Sequence, residues 1–154
     1  MYALGDKALN TLAEGSFHAD TVNIMGDNVA KLEDVTSSGL GNEVDLEQIY
    51  LWNPDYIVFE YMTGYECAAT DPAWAELFSV QNGHIFKTPR GPYGWLASPP
   101  SVQRYLGLLW LGALMYPDYV QYDLKEEVSS YYKLFYNYEM TDAQYSVLME
   151  YAMP

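Results

Sequence analysis

The chain of 154 residues is long enough for one domain, and half of it is apolar with 16 tyrosines, which excludes a disordered polypeptide. Asp and Glu number 21 against 7 Lys and Arg, a formal net charge of −14, which excludes nucleic acid and an anionic membrane surface as partners. Cys67 is the single cysteine, so neither an internal disulfide nor a cysteine-rich metal site can be built.

The opening stretch "MYALGDKALNTLAEG" lacks the basic start, adequate apolar core and small-residue cleavage site of an export signal. It reads either as a cytoplasmic protein or as a piece of something larger. Met1 to Leu4 suits the tail of a strand, stopped by Gly5-Asp6. In "FHADTVNIMG" the apolar spacing and the closing Gly26 predict a short helix. "VDLEQIYLWNPD" is punctuated as a helix: Asp45 as cap with Gln48 in the box position, Asn53 to end it, and Pro54 unable to continue it. "DYIVFEY" has the apolar, β-branched and aromatic run of a buried strand.

The helix-then-strand order repeats. Asp71-Pro72 is a cap followed by a first-turn proline, "AWAELFSVQNG" reads as a helix ending at Gly83, and "HIFKT" is the next strand. A loop rich in Gly, Pro and Ser follows, in which Ser98-Pro99 reads as the cap of a helix from Pro100 to Met115. That helix is apolar around most of its circumference and is expected inside the fold. Its apolar run, Tyr105 to Pro117, is well short of the roughly 20 residues that span a bilayer. Two further helices are predicted, "DLKEEVSSYYKLFYNY" and "DAQYSVLMEYA", the second capped by Thr141 with Gln144 as a capping box. Strands separated by helices predict an α/β fold, a three-layer open parallel sheet flanked by helices, with the C-terminal helices added.

In open parallel sheets ligands bind outside the carboxyl ends of the strands. Residues 89 to 98 lie at that end of "HIFKT", and the segments "GDKALNT" and "EYMTGYE" should open onto the same edge. Arg90, one of only two arginines, supplies a guanidinium for a carboxylate or oxyanion, while Tyr93 and Trp95 supply aromatic faces for planar or apolar groups. The competing reading makes the two aromatics plugs that tack the loop to the core. Arg104, early in the next helix, either reaches the same edge or is solvated or ion-paired. No catalytic constellation is visible: His18 and His84 lack metal-ligand spacing, and there is no P-loop, GxGxxG or GxSxG pattern.

Three stretches together, "VDLEQIYLWNPDYIVF", "WAELFSVQNGHIFKTP" and "GPYGWLASPPSVQRYLGLLWLGALMYPD" followed by "YYKLFYNYEMTDAQ", resemble the C-terminal lobe of substrate-binding proteins of ABC importers. The group is the one that handles iron complexes, haem and cobalamin, with a related branch for molybdate or tungstate. The resemblance runs from about Gly5 onward. It implies that residues 1–154 form a single solute-binding lobe of a bilobal fold, with the N-terminal lobe, linker helix and export signal of that family not matched. Cys67, in mid-chain, does not match the family's lipid-anchored cysteine.

The implied function is capture of an iron complex, haem or corrinoid between two lobes and delivery to a membrane permease, without enzyme chemistry and without a cofactor. Tyr61, Tyr93 and Trp95 would then be flat contacts for a bulky chelate, whereas molybdate or tungstate would use Arg90 and backbone N–H groups. Glu47 matches the family's surface glutamate that docks on the permease, although a carboxylate in the first turn of a helix is also favoured by the dipole alone. The resemblance further implies a lipid-anchored location at the periplasmic or extracellular face and a monomeric lobe. Two other classes stay open: a chelatase-like α/β metal-handling enzyme or metallochaperone, with His18 as its candidate metal or base residue, and a protein-interaction module.

Overall fold

The computed structural model describes residues 1–154. Five strands, β1 (Tyr2–Leu4), β2 (Asn10–Thr11), β3 (Asn42–Glu43), β4 (Ile57–Phe59) and β5 (Ile85–Lys87), form one sheet in the order β3-β2-β1-β4-β5. β1, β4 and β5 run parallel, as the alternation of helices and strands predicts. β2 pairs antiparallel with β1 and β3 antiparallel with β2, which makes the sheet mixed, a correction to the all-parallel expectation. Both are polar two-residue strands, too short to carry an alternating pattern.

Alternate side chains of the central strands enter two separate cores. Tyr2, Leu4, Val58 and Phe86 face one layer, packed with Trp95, Leu106, Trp110, Leu111 and Val128. Ala3, Ile57 and Phe59 face the other, packed with Ile49, Ala68, Trp74 and Leu77. The first layer is built by helices α1 (Asp20–Met25), α5 (Arg104–Met115) and α6 (Leu124–Tyr136). The second layer contains α2 (Leu46–Trp52), α3 (Met62–Thr70) and α4 (Phe78–Gln81), and α7 (Asp142–Leu148) closes the chain. The sheet between two helical layers is the expected three-layer α/β arrangement.

Several local signals act as read. The Asp45 carboxylate accepts a 2.7 Å hydrogen bond from the Gln48 N–H, and Asn53 ends α2 in the left-handed region at φ 39°. Thr141 and Gln144 form the full capping box of α7. Others differ. The predicted helix after Asp71 is divided into a 3-10 turn, Pro72–Trp74, and α4, because Trp74 and Leu77 both plug the second core and take the backbone out of the helical path. The helix expected from Pro100 starts at Arg104. Residues 98–103 form turns, the Ser98–Pro99 bond is cis, and Pro99 is therefore not a first-turn proline.

Candidate functional site

The three parallel strands end at one edge, where the segments that follow them meet. Thr63, in the first turn of α3, donates a 2.9 Å hydrogen bond to the Asp6 carboxylate in the loop after β1. Arg90, beyond β5, donates from Nη1 to Glu60 Oε1, at the end of β4, over 2.7 Å. The stretch after β4, where no helix is predicted, is the start of α3. No side chain caps this helix, so its first-turn N–H groups face the same edge with the partial positive charge of a helix N-terminus. Without a Ser, Thr, Asp or Asn in the capping position, Tyr61 gave no start signal.

Arg90 stands where the sequence predicts, with 47% of its side chain exposed, whereas Glu60 beneath it is 1% exposed. Sequence reasoning did not single out Glu60, although a carboxylate that directly ends the apolar run "YIVFE" is a detectable signal. The Tyr2 hydroxyl donates to Glu60 Oε2 from β1. Burial raises the Glu60 carboxyl above the ordinary carboxylate range, against the opposing effects of Tyr2, Arg90 and Ser98. Burial, and then the Glu60 charge, push the Tyr2 hydroxyl well above the ordinary tyrosine range. Gly94 makes room for the carboxylate: a Cβ there would lie 2.7 Å from Glu60 Oε1 and 3.2 Å from the Ser98 carbonyl oxygen.

The loop from Arg90 to Gly94 is held by side chains from the helices behind it. Gln103 accepts from the Tyr93 N–H over 2.9 Å and donates to the Gly91 carbonyl, to which the Tyr132 hydroxyl also donates. Tyr93 is thereby presented outward, and both Tyr93 and Tyr61 are exposed.

Two predicted ligand residues are corrected. Trp95 is fully buried, at 0% exposure. It packs in the core shared with Leu106, Trp110 and Tyr132, and α5 runs so close that a Cβ on Gly107 would lie 2.3 Å from the Trp95 carbonyl oxygen. The plug reading holds for Trp95, which is no part of the cleft wall. Arg104 is an internal clamp: it donates to the carbonyls of Leu96 (3.0 Å) and Phe17 (3.1 Å), lies 3.6 Å from Asp20, and sits 4.9 Å above the Phe17 ring, with 18% of its side chain exposed. It ties α5 to the start of α1 and is turned inward rather than toward the edge. Glu47 is exposed in the first turn of α2, away from these contacts.

The apolar hollows of the surface lie beside the edge or away from it. One of about 430 Å³, lined by Pro92, Tyr132, Tyr136, Tyr138 and Leu148, begins at Gly91 next to Arg90. Another of about 600 Å³ lies between α5 and Tyr116–Tyr122, and one of about 430 Å³ lies between α5 and α6 beside Tyr131 and Phe135. No three His, Cys, Asp or Glu side chains converge as metal ligands. His18 is half-buried and packs against Gly39 rather than at the strand ends.

A mixed sheet between two helical layers, with charged and aromatic residues at the ends of its parallel strands, defines an α/β lobe with its strand-end edge where open sheets of this kind accept ligands. Three solved structures similar to it are solute-binding proteins. The chain is similar to an ABC transporter solute-binding protein from Sulfurospirillum deleyianum, at 32% identity and a TM-score of 0.89 over 97% of this chain and 46% of that one. It is also similar to a periplasmic solute-binding protein from Veillonella parvula, at 25% identity and a TM-score of 0.79 over 98% of this chain and 47% of that one. A third is the molybdate-bound periplasmic binding protein MolA of a Haemophilus influenzae ABC transporter, at 25% identity and a TM-score of 0.73 over 91% of this chain and 42% of that one. The chain thus spans about half the length of each. No family model matches the sequence, and no curated protein matches it.

Proposed function

We propose that residues 1–154 are one lobe, the C-terminal one, of a two-lobed solute-binding protein of an ABC importer, and that the lobe contacts an oxyanion of the molybdate or tungstate type. The observation that carries this reading is Arg90: a half-exposed guanidinium at the strand-end edge, beside the uncapped N-terminus of α3. A guanidinium and free backbone N–H groups together suit an anion with several oxygens. The molybdate found in a structural neighbour supports the same ligand class. Binding would proceed by capture between the lobes and closure over the ligand, followed by docking to the permease through Glu47. The work would be done by binding and not by bond chemistry, outside the cytoplasmic membrane, as for the periplasmic neighbours. Lipid anchoring of the intact protein belongs to the same proposal.

Burial of Trp95 removes the strongest flat contact for an iron complex, haem or corrinoid. A bulky anionic chelate remains the second reading because Tyr61 and Tyr93 are exposed and the tyrosine-lined hollow opens beside Gly91. Titration of the protein with molybdate, tungstate, ferric citrate and haem, followed by amide NMR, separates the two. Shifts of residues 61–64 and 88–94 with molybdate or tungstate, lost in Arg90→Ala, support the oxyanion. Shifts only with ferric citrate or haem, centred on Tyr93 and Tyr136, overturn it.

A further inference from the structure

Arg90 is not a free cation. Its Nη1 is 2.7 Å from the carboxylate of Glu60, whose side chain is almost wholly buried, so an anion arriving at Arg90 must share the guanidinium with a carboxylate already in place. We propose that Glu60 is the positioning and specificity residue of this site: it holds Arg90 in a neutral pair when no ligand is present, and an anion that takes Arg90 binds with uptake of one solvent proton onto Glu60. This inference rests on the oxyanion reading above.

The geometry gives Glu60 no direct route to a ligand, because Arg90 covers its outer oxygen and Gly94 lies against the same atom. Its influence passes through the guanidinium. The groups that face Glu60 come from three elements: the Tyr2 hydroxyl from β1, Arg90 from the loop after β5, and Ser98 from the turns before α5, with Tyr61 next in the chain and acting on Tyr2. Arg90 is the one cation among them, and Arg104 is committed to Asp20 and two carbonyls. An anion that drew the positive charge outward would leave a buried carboxylate with only hydroxyl partners, a costly state. Protonation relieves it. The proton comes from solvent and ends on a Glu60 oxygen, and Arg90 keeps its charge for the ligand. Glu60 is already disposed to accept it, since burial raises its carboxyl above the ordinary range. Because binding takes up a proton, affinity rises as pH falls.

The test uses molybdate as probe, with dissociation constants measured by amide NMR between pH 5.5 and 8 for the wild-type protein and for Glu60→Gln. The wild-type constant is expected to weaken by up to about tenfold per pH unit over part of this range. The Gln variant, with nothing to protonate, should show a flat profile. Should that variant not fold, calorimetry of the wild-type protein in two buffers of different ionisation enthalpy counts the protons directly, with an expected uptake approaching one per anion. A flat wild-type profile, equal slopes in the two proteins, or zero proton uptake overturns the role of Glu60 while leaving the oxyanion reading standing. Absence of molybdate binding at every pH overturns both.

Discussion

Trp95→Ala should act on the fold and spare the ligand edge. A fully buried tryptophan removes about 150–250 Å² from water, worth roughly 4–6 kcal/mol at about 25 cal/mol per Å², and truncations of this kind cost about 3–5 kcal/mol in practice. Its indole N–H has no hydrogen-bond partner in the core. Loss of an unpaired polar group, itself costing on the order of 1–3 kcal/mol, offsets part of the damage. The expected net loss is therefore about 3 kcal/mol, a large share of the roughly 5–15 kcal/mol that stabilises an ordinary domain. For a chain of 154 residues this corresponds to a fall in Tm of about 9 °C. Urea denaturation should show a lower midpoint at an unchanged slope, while Tyr93→Ala, at an exposed position, should shift stability by no more than about 0.5 kcal/mol. Refolded Trp95→Ala should bind anions at Arg90 much as before. A stability loss below about 1 kcal/mol combined with weakened ligand binding would refute the assignment and return Trp95 to the cleft wall.

Gly107→Ala should destabilise the protein by about 1–3 kcal/mol or more, because its methyl group would meet the Trp95 carbonyl at 2.3 Å. A loss under about 0.5 kcal/mol in chemical denaturation would mean that α5 moves freely off the loop. Glu60 ionises with difficulty in the folded state: its pKa is raised above 4.5. Its contribution to stability is fully present below about pH 4.5 and is lost as pH rises through the raised folded value. Glu60→Gln should flatten that part of the stability profile, and an unchanged profile would contradict the assignment. Glu47→Ala should leave the folding midpoint and ligand affinity nearly unchanged, since the side chain is exposed. In the intact transport system it should reduce uptake, and normal uptake with impaired binding would remove Glu47 from permease docking.

The order of elements was legible in the sequence wherever a local rule acts. Asp45, Asn53, Thr141 and Gln144 cap helices through bonds made within a few residues, so their effect is written in the spacing itself. The strands "YIVFE" and "HIFKT" announce themselves because a strand covered on both faces has no polar side to alternate with. The edge that carries Arg90, Tyr61 and Tyr93 followed from strand direction alone. Which of those residues reach solvent did not. Trp95 and Tyr93 stand two positions apart in the same Gly- and Pro-rich loop, and only the packing of α5 across Gly107 sends one into the core, while Gln103 turns the other outward. β2 joins β1, and β3 joins β2, through backbone bonds, and neither carries a side-chain signature. The ion pair of Glu60 with Arg90 joins residues separated by 30 positions, and Arg104 is drawn inward by Asp20 and by the carbonyls of Leu96 and Phe17. Such contacts depend on the strands being placed side by side, so the state of each charge at this edge was decided by the tertiary structure.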